Sequence, residues 1–291
     1  MRAQDHTLQA QRYELKYLIE EEQALRIRDW VKSYLEVDEY GEGKPDYSYA
    51  IHSIYLDSSD LKLYHGTING DKNRFKLRVR FYNDDPEAPI FFEIKRRMNN
   101  VIAKERCAVR PSAVQRLLSA HFPEPGDLLS NAPGQLVSLQ RFCRLMSGLD
   151  ARSRSHVAYL REAWVSPHDN SIRVTMDRNI RTEVAPVARL NTRMSHPKLV
   201  FGKQVVLELK FTGRFPDWFG DLVRFFGLMQ CGAAKYAEGI TLMGCDVVCR
   251  AYEYDEHYVA AQERKEVING HAQPSSATGT GIVTPKPALA N

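Results

Sequence analysis

Along much of this chain, ionic residues recur at every second position with apolar residues between them. In Arg74-Phe-Lys-Leu-Arg-Val-Arg-Phe-Tyr82, Phe75, Leu77, Val79 and Phe81 alternate with Arg74, Lys76, Arg78 and Arg80. After a loop at Asn83–Pro89, the stretch Ile90–Arg97 repeats the pattern, Phe92 and Ile94 against Glu93 and Lys95. Successive side chains of a β-strand point to opposite faces, so each stretch has one apolar face and one ionic face. A single strand of this kind describes any half-exposed sheet with a solvated charged face. What constrains the fold is recurrence: Glu14/Lys16, Lys76/Arg78/Arg80, Glu93/Lys95, Arg161, Arg173/Asp177 and Glu208/Lys210 all repeat it, with cations in excess.

The rest of the chain fits around these strands. Gln11–Ile19 reads as a strand with Tyr13, Leu15, Tyr17 and Ile19 on one face, followed by a helix from about Glu20 to Val37 whose stripe is Ala24, Ile27, Val31 and Leu35. Tyr47–Asp57 is a further strand, and Leu61–Tyr64 a short helical turn. Asn99-Asn100 signals a hairpin into the strand Val101–Arg110, on which Lys104 and Arg106 share a face with Ile102 and Ala108. Pro111 suits the first turn of a helix to about Ala120, and Gly134–Gly148 is a second helix. His156–Val165 and Ser171–Arg178 form another strand pair, Arg181–Val200 is irregular and basic, and Gln204–Phe211 is the last clear strand. Helices follow at Pro216–Met229, from Lys235, and in a charged run to about Ile268. Residues 1–10 read as a flexible N-terminus, 11–268 as one domain with C-terminal helices, and 269–291 as a disordered tail rich in Ser, Thr, Gly, Pro and Ala.

About eight strands with one apolar face each, and several helices to cover that face, predict an α+β fold: an antiparallel β-barrel with helices packed outside. A barrel of about eight strands has an interior wide enough for one ligand. Its lining here would be Lys and Arg with a few carboxylates, which costs several kcal/mol per unpaired ion when dry. Such an interior suits a wet lumen or a bound polyanion. Arg forks match phosphate oxygens, Lys supplies point charges, and a minority of Glu can hold the divalent ion that accompanies phosphate.

Composition excludes some alternatives. Of 291 residues 43% are hydrophobic and 26% charged, and the net charge of +4 is too small to argue for nucleic acid by itself. The five cysteines show no CxxC pair, and Cys245 and Cys249 suit one helix face without histidines to complete a zinc site. No apolar run approaches the roughly 18 residues of a membrane helix. The N-terminus lacks an apolar signal core. These features predict reduced thiols in a cytoplasmic protein.

The ordered series Glu14-Leu-Lys-Tyr17, Ser53-Ile-Tyr-Leu-Asp57, Leu63-Tyr-His-Gly66, Lys76-Leu-Arg-Val-Arg-Phe-Tyr82 and Phe91-Phe-Glu-Ile-Lys95 resembles the triphosphate tunnel (CYTH-like) superfamily. It continues through Lys104-Glu-Arg106, Tyr159-Leu-Arg161, Ile172–Asp177, Leu207-Glu-Leu-Lys210 and Lys235-Tyr236. Within that superfamily it is most similar to the polyphosphate polymerase domain of the vacuolar transporter chaperone (VTC) family. The resemblance implies an antiparallel tunnel in which ATP and a divalent metal, Mn²⁺ or Mg²⁺, serve to extend a polyphosphate chain. It implies phosphate binding by Lys16, Arg78, Arg80, Lys95, Lys104, Tyr159, Arg161, Arg173, Lys210 and Lys235. Catalytic roles fall on Arg161, Lys210 and Lys95, and metal binding on Glu208.

Two departures bear on function. The eukaryotic polymerases carry an inositol-phosphate-sensing domain and membrane helices, and this chain has neither. Many hydrolases and cyclases of the superfamily begin with Glu-x-Glu-x-Lys, where this chain reads Arg12-Tyr-Glu-Leu-Lys16. A cation in place of the first acid favours the polymerase branch over hydrolases that need two metals. The alternatives are a triphosphate hydrolase, or a non-catalytic polyphosphate or inositol-phosphate binding module, membrane-associated through a partner protein encoded elsewhere. Nucleic acid is not expected, because the aromatics read as lying opposite the arginines. His52 and His65 read as structural histidines, and Asp57 and Asp60 as turn formers.

Overall fold

Eight strands close on themselves in the computed structural model, which describes residues 12–99, 101–167, 169 and 171–251. They are β1 (Arg12–Ile19), β3 (Ser48–Asp57), β4 (Asn73–Phe81), β5 (Ile90–Met98), β6 (Val101–Val109), β7 (Arg152–Val165), β8 (Ile172–Val184) and β10 (Val205–Thr212). Their order is β7-β3-β4-β5-β6-β1-β10-β8, every pair antiparallel, and β8 pairs back onto β7 to complete the barrel. Two-residue strands, β2 (Glu36–Val37) and β9 (Lys198–Leu199), add to β7 and β8. The β6–β1 seam is short, joined at Ile102 and Arg12.

The alternation decides which way the sheet curls. Leu77 and Val79 of β4, Phe92 and Ile94 of β5, and Cys107 and Val109 of β6 all face outward. There they bury against α3 (Pro111–Leu118) and α4 (Pro133–Gly148) through Val114, Leu117, Leu139 and Phe142. On the opposite wall Tyr17, Leu207, Leu209, Val174 and Met176 pack under α1 (Glu21–Val31) and α5 (Asp217–Phe225) through Ala24, Ile27, Phe219 and Leu222. Burying each large apolar side chain contributes about 1.5–3 kcal/mol, so the ionic face is left to turn inward. Among the described residues no helix is long and apolar enough to cross a membrane.

One end of the barrel is covered. α6 (Lys235–Met243) and the segment before it lay Ala233, Tyr236, Ala237 and Ile240 against Val157, Ile180 and Val206. Gly239 allows the approach, since a Cβ there would stand 3.0 Å from Thr182 Oγ1 on β8. Asp57, at the end of β3, accepts the backbone N–H groups of Ser58, Leu63 and Tyr64 and the Tyr236 hydroxyl. It thereby ties α2 (Lys62–Ile68) and α6 to the same rim.

Several boundaries differ from those read in the sequence. The first helix stops at Val31 rather than Val37, because Glu36 and Val37 hydrogen-bond to β7 as an added strand. Leu35 still reaches the core from the intervening turn. The short turn at Leu61–Tyr64 is a helix continuing to Ile68, held by the Asp57 carboxylate. β8 runs to Val184, well into the stretch read as irregular, because a register shift opposite Ala158–Leu160 with Asn179 at φ 50° lets it follow β7. The expectations for residues 1–10, the helical run toward 268 and the tail 269–291 concern residues outside the described ones.

Candidate functional site

Two of the carboxylates on the inward face of the barrel are each ringed by cations. Glu93 of β5 is wholly buried, with Arg78 Nε at 2.6 Å, Lys104 Nζ at 3.0 Å, Arg106 Nε at 3.5 Å and Arg80 Nη1 at 3.7 Å. The register explains this: Arg78 and Arg106 lie directly opposite Glu93 on the two flanking strands. Burial favours the neutral acid here, but Arg78, Arg80, Lys104 and Arg106 outweigh it and hold the Glu93 carboxyl well below the ordinary range.

Glu208 of β10 is the second centre. Lys235 Nζ stands at 3.0 Å, Lys16 Nζ at 3.4 Å and Arg161 Nη2 at 3.5 Å, Lys210 Nζ is also in contact, and Thr175 Oγ1 donates at 3.2 Å. Lys16 and Thr175 face it across the β1 and β8 ladders. Its carboxyl too is held well below the ordinary range, burial being overcome by Lys210, Lys235, Lys16 and Arg161. Burial, opposed by Glu208, brings the Lys210 ammonium down to about 7.

Arg161 is clamped. Its Nε and Nη2 donate to both oxygens of Asp177, its register partner on β8, at 2.7 Å each. Lys235 Nζ reaches Asp177 at 2.7 Å as well, so the first residue of α6 joins β8 and β10 inside the barrel. Lys95 and Lys16 share Glu14, at 3.0 and 3.2 Å. Arg173 turns to Asp38 at 2.7 Å and toward the Tyr49 hydroxyl at 3.4 Å. Arg80 donates to the Tyr159 hydroxyl at 3.3 Å, while Arg161 and Lys235 sit over the Tyr159 ring at 5.3 and 5.2 Å.

Lys16, Arg78, Arg80, Lys95, Lys104, Tyr159, Arg161, Lys210 and Lys235 thus belong to a contact network around Glu14, Glu93, Asp177 and Glu208. Arg173 stands beside Lys210 across the β8–β10 ladder. Sequence reading assigned no role to Glu14, Glu93, Asp177 or Arg106, although Glu14, Glu93 and Arg106 lie two residues, and Asp177 four, from an assigned cation on the same face of the same strand. The same parity overturns one expectation. Tyr49 and Tyr55 of β3 share the inward face with the arginines, Tyr55 accepting from Arg78 at 3.1 Å, so the aromatics do not all lie opposite them. On β4 they do oppose the arginines, and Phe81 packs outward there.

These ion pairs are internal rather than those of a solvated sheet face: Glu14 pairs with Lys16 and Lys95, and the buried Glu93 with Arg78, Arg80, Lys104 and Arg106 rather than with Lys95. His52 lies on the outward side of β3 with its Nδ1 3.1 Å from His156 Nε2, away from the lumen cations. Among the described residues no three His, Cys, Asp or Glu side chains gather as a metal cage. Glu208 shares Lys235 and Arg161 with Asp177, and Lys16 with Glu14; its carboxylate alone meets what a Mg²⁺-type ion asks of a protein, since such ions use one or two carboxylates and complete their shell from water and phosphate.

A family model described as the VTC domain matches residues 11–244. Among solved structures, a Bacillus halodurans protein named as a candidate adenylate cyclase is 14% identical, covering 77% of this chain and 94% of its own, with a TM-score of 0.45. A Hippeastrum adenylyl cyclase candidate with a dominant triphosphatase activity is 15% identical over 78% of this chain and 93% of its own, with a TM-score of 0.43. The Mimivirus capping enzyme triphosphatase is 11% identical over 74% of this chain and 87% of its own, with a TM-score of 0.35. No curated protein sequence matches the chain.

Proposed function

The chain belongs to the VTC domain family, and from that membership we propose that it extends polyphosphate with phosphoryl groups from ATP, inside the basic barrel and with a divalent metal. The observation that carries the reading is Glu208, one carboxylate set among Lys16, Arg161, Lys210 and Lys235. Phosphoryl transfer asks a protein chiefly for positioning and neutralisation of charge. Arg78, Arg80, Lys104 and Arg173 would hold the chain's oxygens, and Lys16 and Lys235 its reacting end. Arg161, already oriented by Asp177, would brace the transferred group with Lys95 and Lys210 beside it. A divalent ion, Mn²⁺ or Mg²⁺, would be held by Glu208 and supply Lewis-acid neutralisation at phosphate oxygens.

The test is incubation of the purified protein with ATP and Mn²⁺ or Mg²⁺, separating polyphosphate from free phosphate. Polyphosphate appearing as ATP disappears supports the polymerase; free phosphate alone points to a triphosphate hydrolase. One observation favours a second reading, a polyphosphate-binding module. Glu208 is already engaged by four cations, which a metal would have to displace in part. Tight polyphosphate binding with no ATP turnover under either metal selects that reading. In either case the cytoplasm, and association with a membrane protein encoded elsewhere, are the proposed setting.

A further inference from the structure

Lys76, Lys95 and Lys104 stand on three adjacent strands at one register level. Lys76 is opposite Lys95 across β4–β5, and Lys95 is opposite Lys104 across β5–β6. Like charges directly opposite one another destabilise a sheet, so such a row is unfavourable until an anion joins it. Lys95 and Lys104 each reach a carboxylate, Glu14 and Glu93, both at 3.0 Å. Among the described residues Lys76 has no carboxylate partner. It faces Lys16 of β1, Lys95 of β5, Arg74 and Arg78 of its own strand, and the ring of Tyr236 on α6 at 6.0 Å. Lys104 faces Glu93, Arg106, Arg80 and Arg78, and 44% of its side chain is open to solvent.

Resting on the polyanion reading above, we propose that this lysine row is a proton-loading subsite: a phosphate chain docking on it supplies the anion Lys76 lacks, and solvent protons bind the lysine amines as the chain enters. Burial and the surrounding cations hold Lys76 well below the ordinary lysine range; for Lys104, on the more open side of the row, partial burial, opposed by Glu93 and joined by Arg106, Arg80 and Arg78, brings it down to about 7. Above those values the empty barrel holds free amines. Phosphate oxygens favour the ammonium form and raise both groups toward the ordinary value of about 10.4. Each proton moves from water or buffer to an Nζ lone pair, and no other bond changes. Binding therefore takes up protons in the window between the free and the bound values, and affinity falls as pH rises through it.

The experiment is calorimetric titration of the full chain with long-chain inorganic polyphosphate, whose interior phosphates stay ionised. Paired buffers of different ionisation heat count the protons. At about pH 8 the parent should take up protons on binding, and fewer at about pH 6. Affinity should drop about tenfold per pH unit for each whole proton taken up. Lys76→Arg, with a guanidinium that stays charged, should keep the affinity and take up fewer protons. Lys76→Gln should lose both affinity and uptake. Binding by the parent with no proton uptake overturns the proposal and leaves the polyanion reading intact, as does a Lys76→Arg protein that takes up as many protons as the parent. Absence of any binding removes both.

Discussion

At Glu93 one fully buried carboxylate is the shared counter-charge of four cations, of which Arg78 and Arg80 are the most enclosed. Removing its charge as Glu93→Gln leaves buried cations unpaired, and should cost about 3–5 kcal/mol in urea denaturation. Added tripolyphosphate should restore part of that loss, since its oxygens can take the vacated role. The pH dependence follows from direction. Glu93's folded value is depressed, so its contribution is complete above the unfolded carboxylate value of about 4.3. It is lost only as pH falls through the much lower folded value. The parent should therefore keep this contribution at neutral pH and shed it in acid, while the Gln variant should show a shallower acid limb. Glu208→Gln separates enzyme from binder. It keeps the side chain's size but deletes the negative charge proposed to hold the metal. Turnover with Mn²⁺ should fall at least about 100-fold, the scale of one lost preorganised electrostatic contact. Metal-free polyphosphate affinity should hold or rise, because the lumen has lost a negative charge. Parent-rate turnover by Glu208→Gln would remove the metal assignment.

At the scale of elements, the barrel strands supply most of the cations, and α6 supplies Lys235, which joins Arg161 in reaching both Asp177 of β8 and Glu208 of β10. Lys235 can reach Asp177 and Glu208 only because α6 seats across the barrel end, and Asp57 anchors that seat through Tyr236. Asp57→Ala strips an acceptor from the first turn of α2 and from the Tyr236 hydroxyl together. About 2–3 kcal/mol of stability should go with these buried donors. Amide exchange should quicken first at Leu63 and Tyr64, whose N–H groups the carboxylate holds. Exchange unchanged at α2 would show that packing, not this carboxylate, holds the helix.

The whole molecule carries more lumen cations than lumen carboxylates, so a polyanion should stabilise the folded barrel and not the unfolded chain. At a tripolyphosphate concentration of about 100 times Kd the gain should be about 2.7 kcal/mol. That corresponds to roughly 5–10 °C in Tm for a domain of this size. Differential scanning calorimetry checks it, and the shift should shrink as salt rises, less steeply than for exposed charges. An unmoved Tm at low and high salt would refute polyanion capture by this barrel.

Much of this was legible in the amino-acid order, and the reason is periodicity. A period of two fixes which side chains share a face, so Lys76, Arg78 and Arg80, or Glu208 and Lys210, were bound to stand together wherever their strands went. The apolar partners Leu77, Val79, Leu207 and Leu209 determined that helices would cover the other face. Strand order was another matter. That Glu93 would meet Arg106, Arg161 meet Asp177, and three lysines line up across β4, β5 and β6 depends on register, which is set by long-range pairing and barrel closure. The end of the first helix at Val31, the extension of β8 to Val184 and the seating of Lys235 were likewise decided by tertiary contacts. Local alternation determines what each strand presents; only the closed sheet, by choosing which strands are neighbours, decides which charges must answer one another.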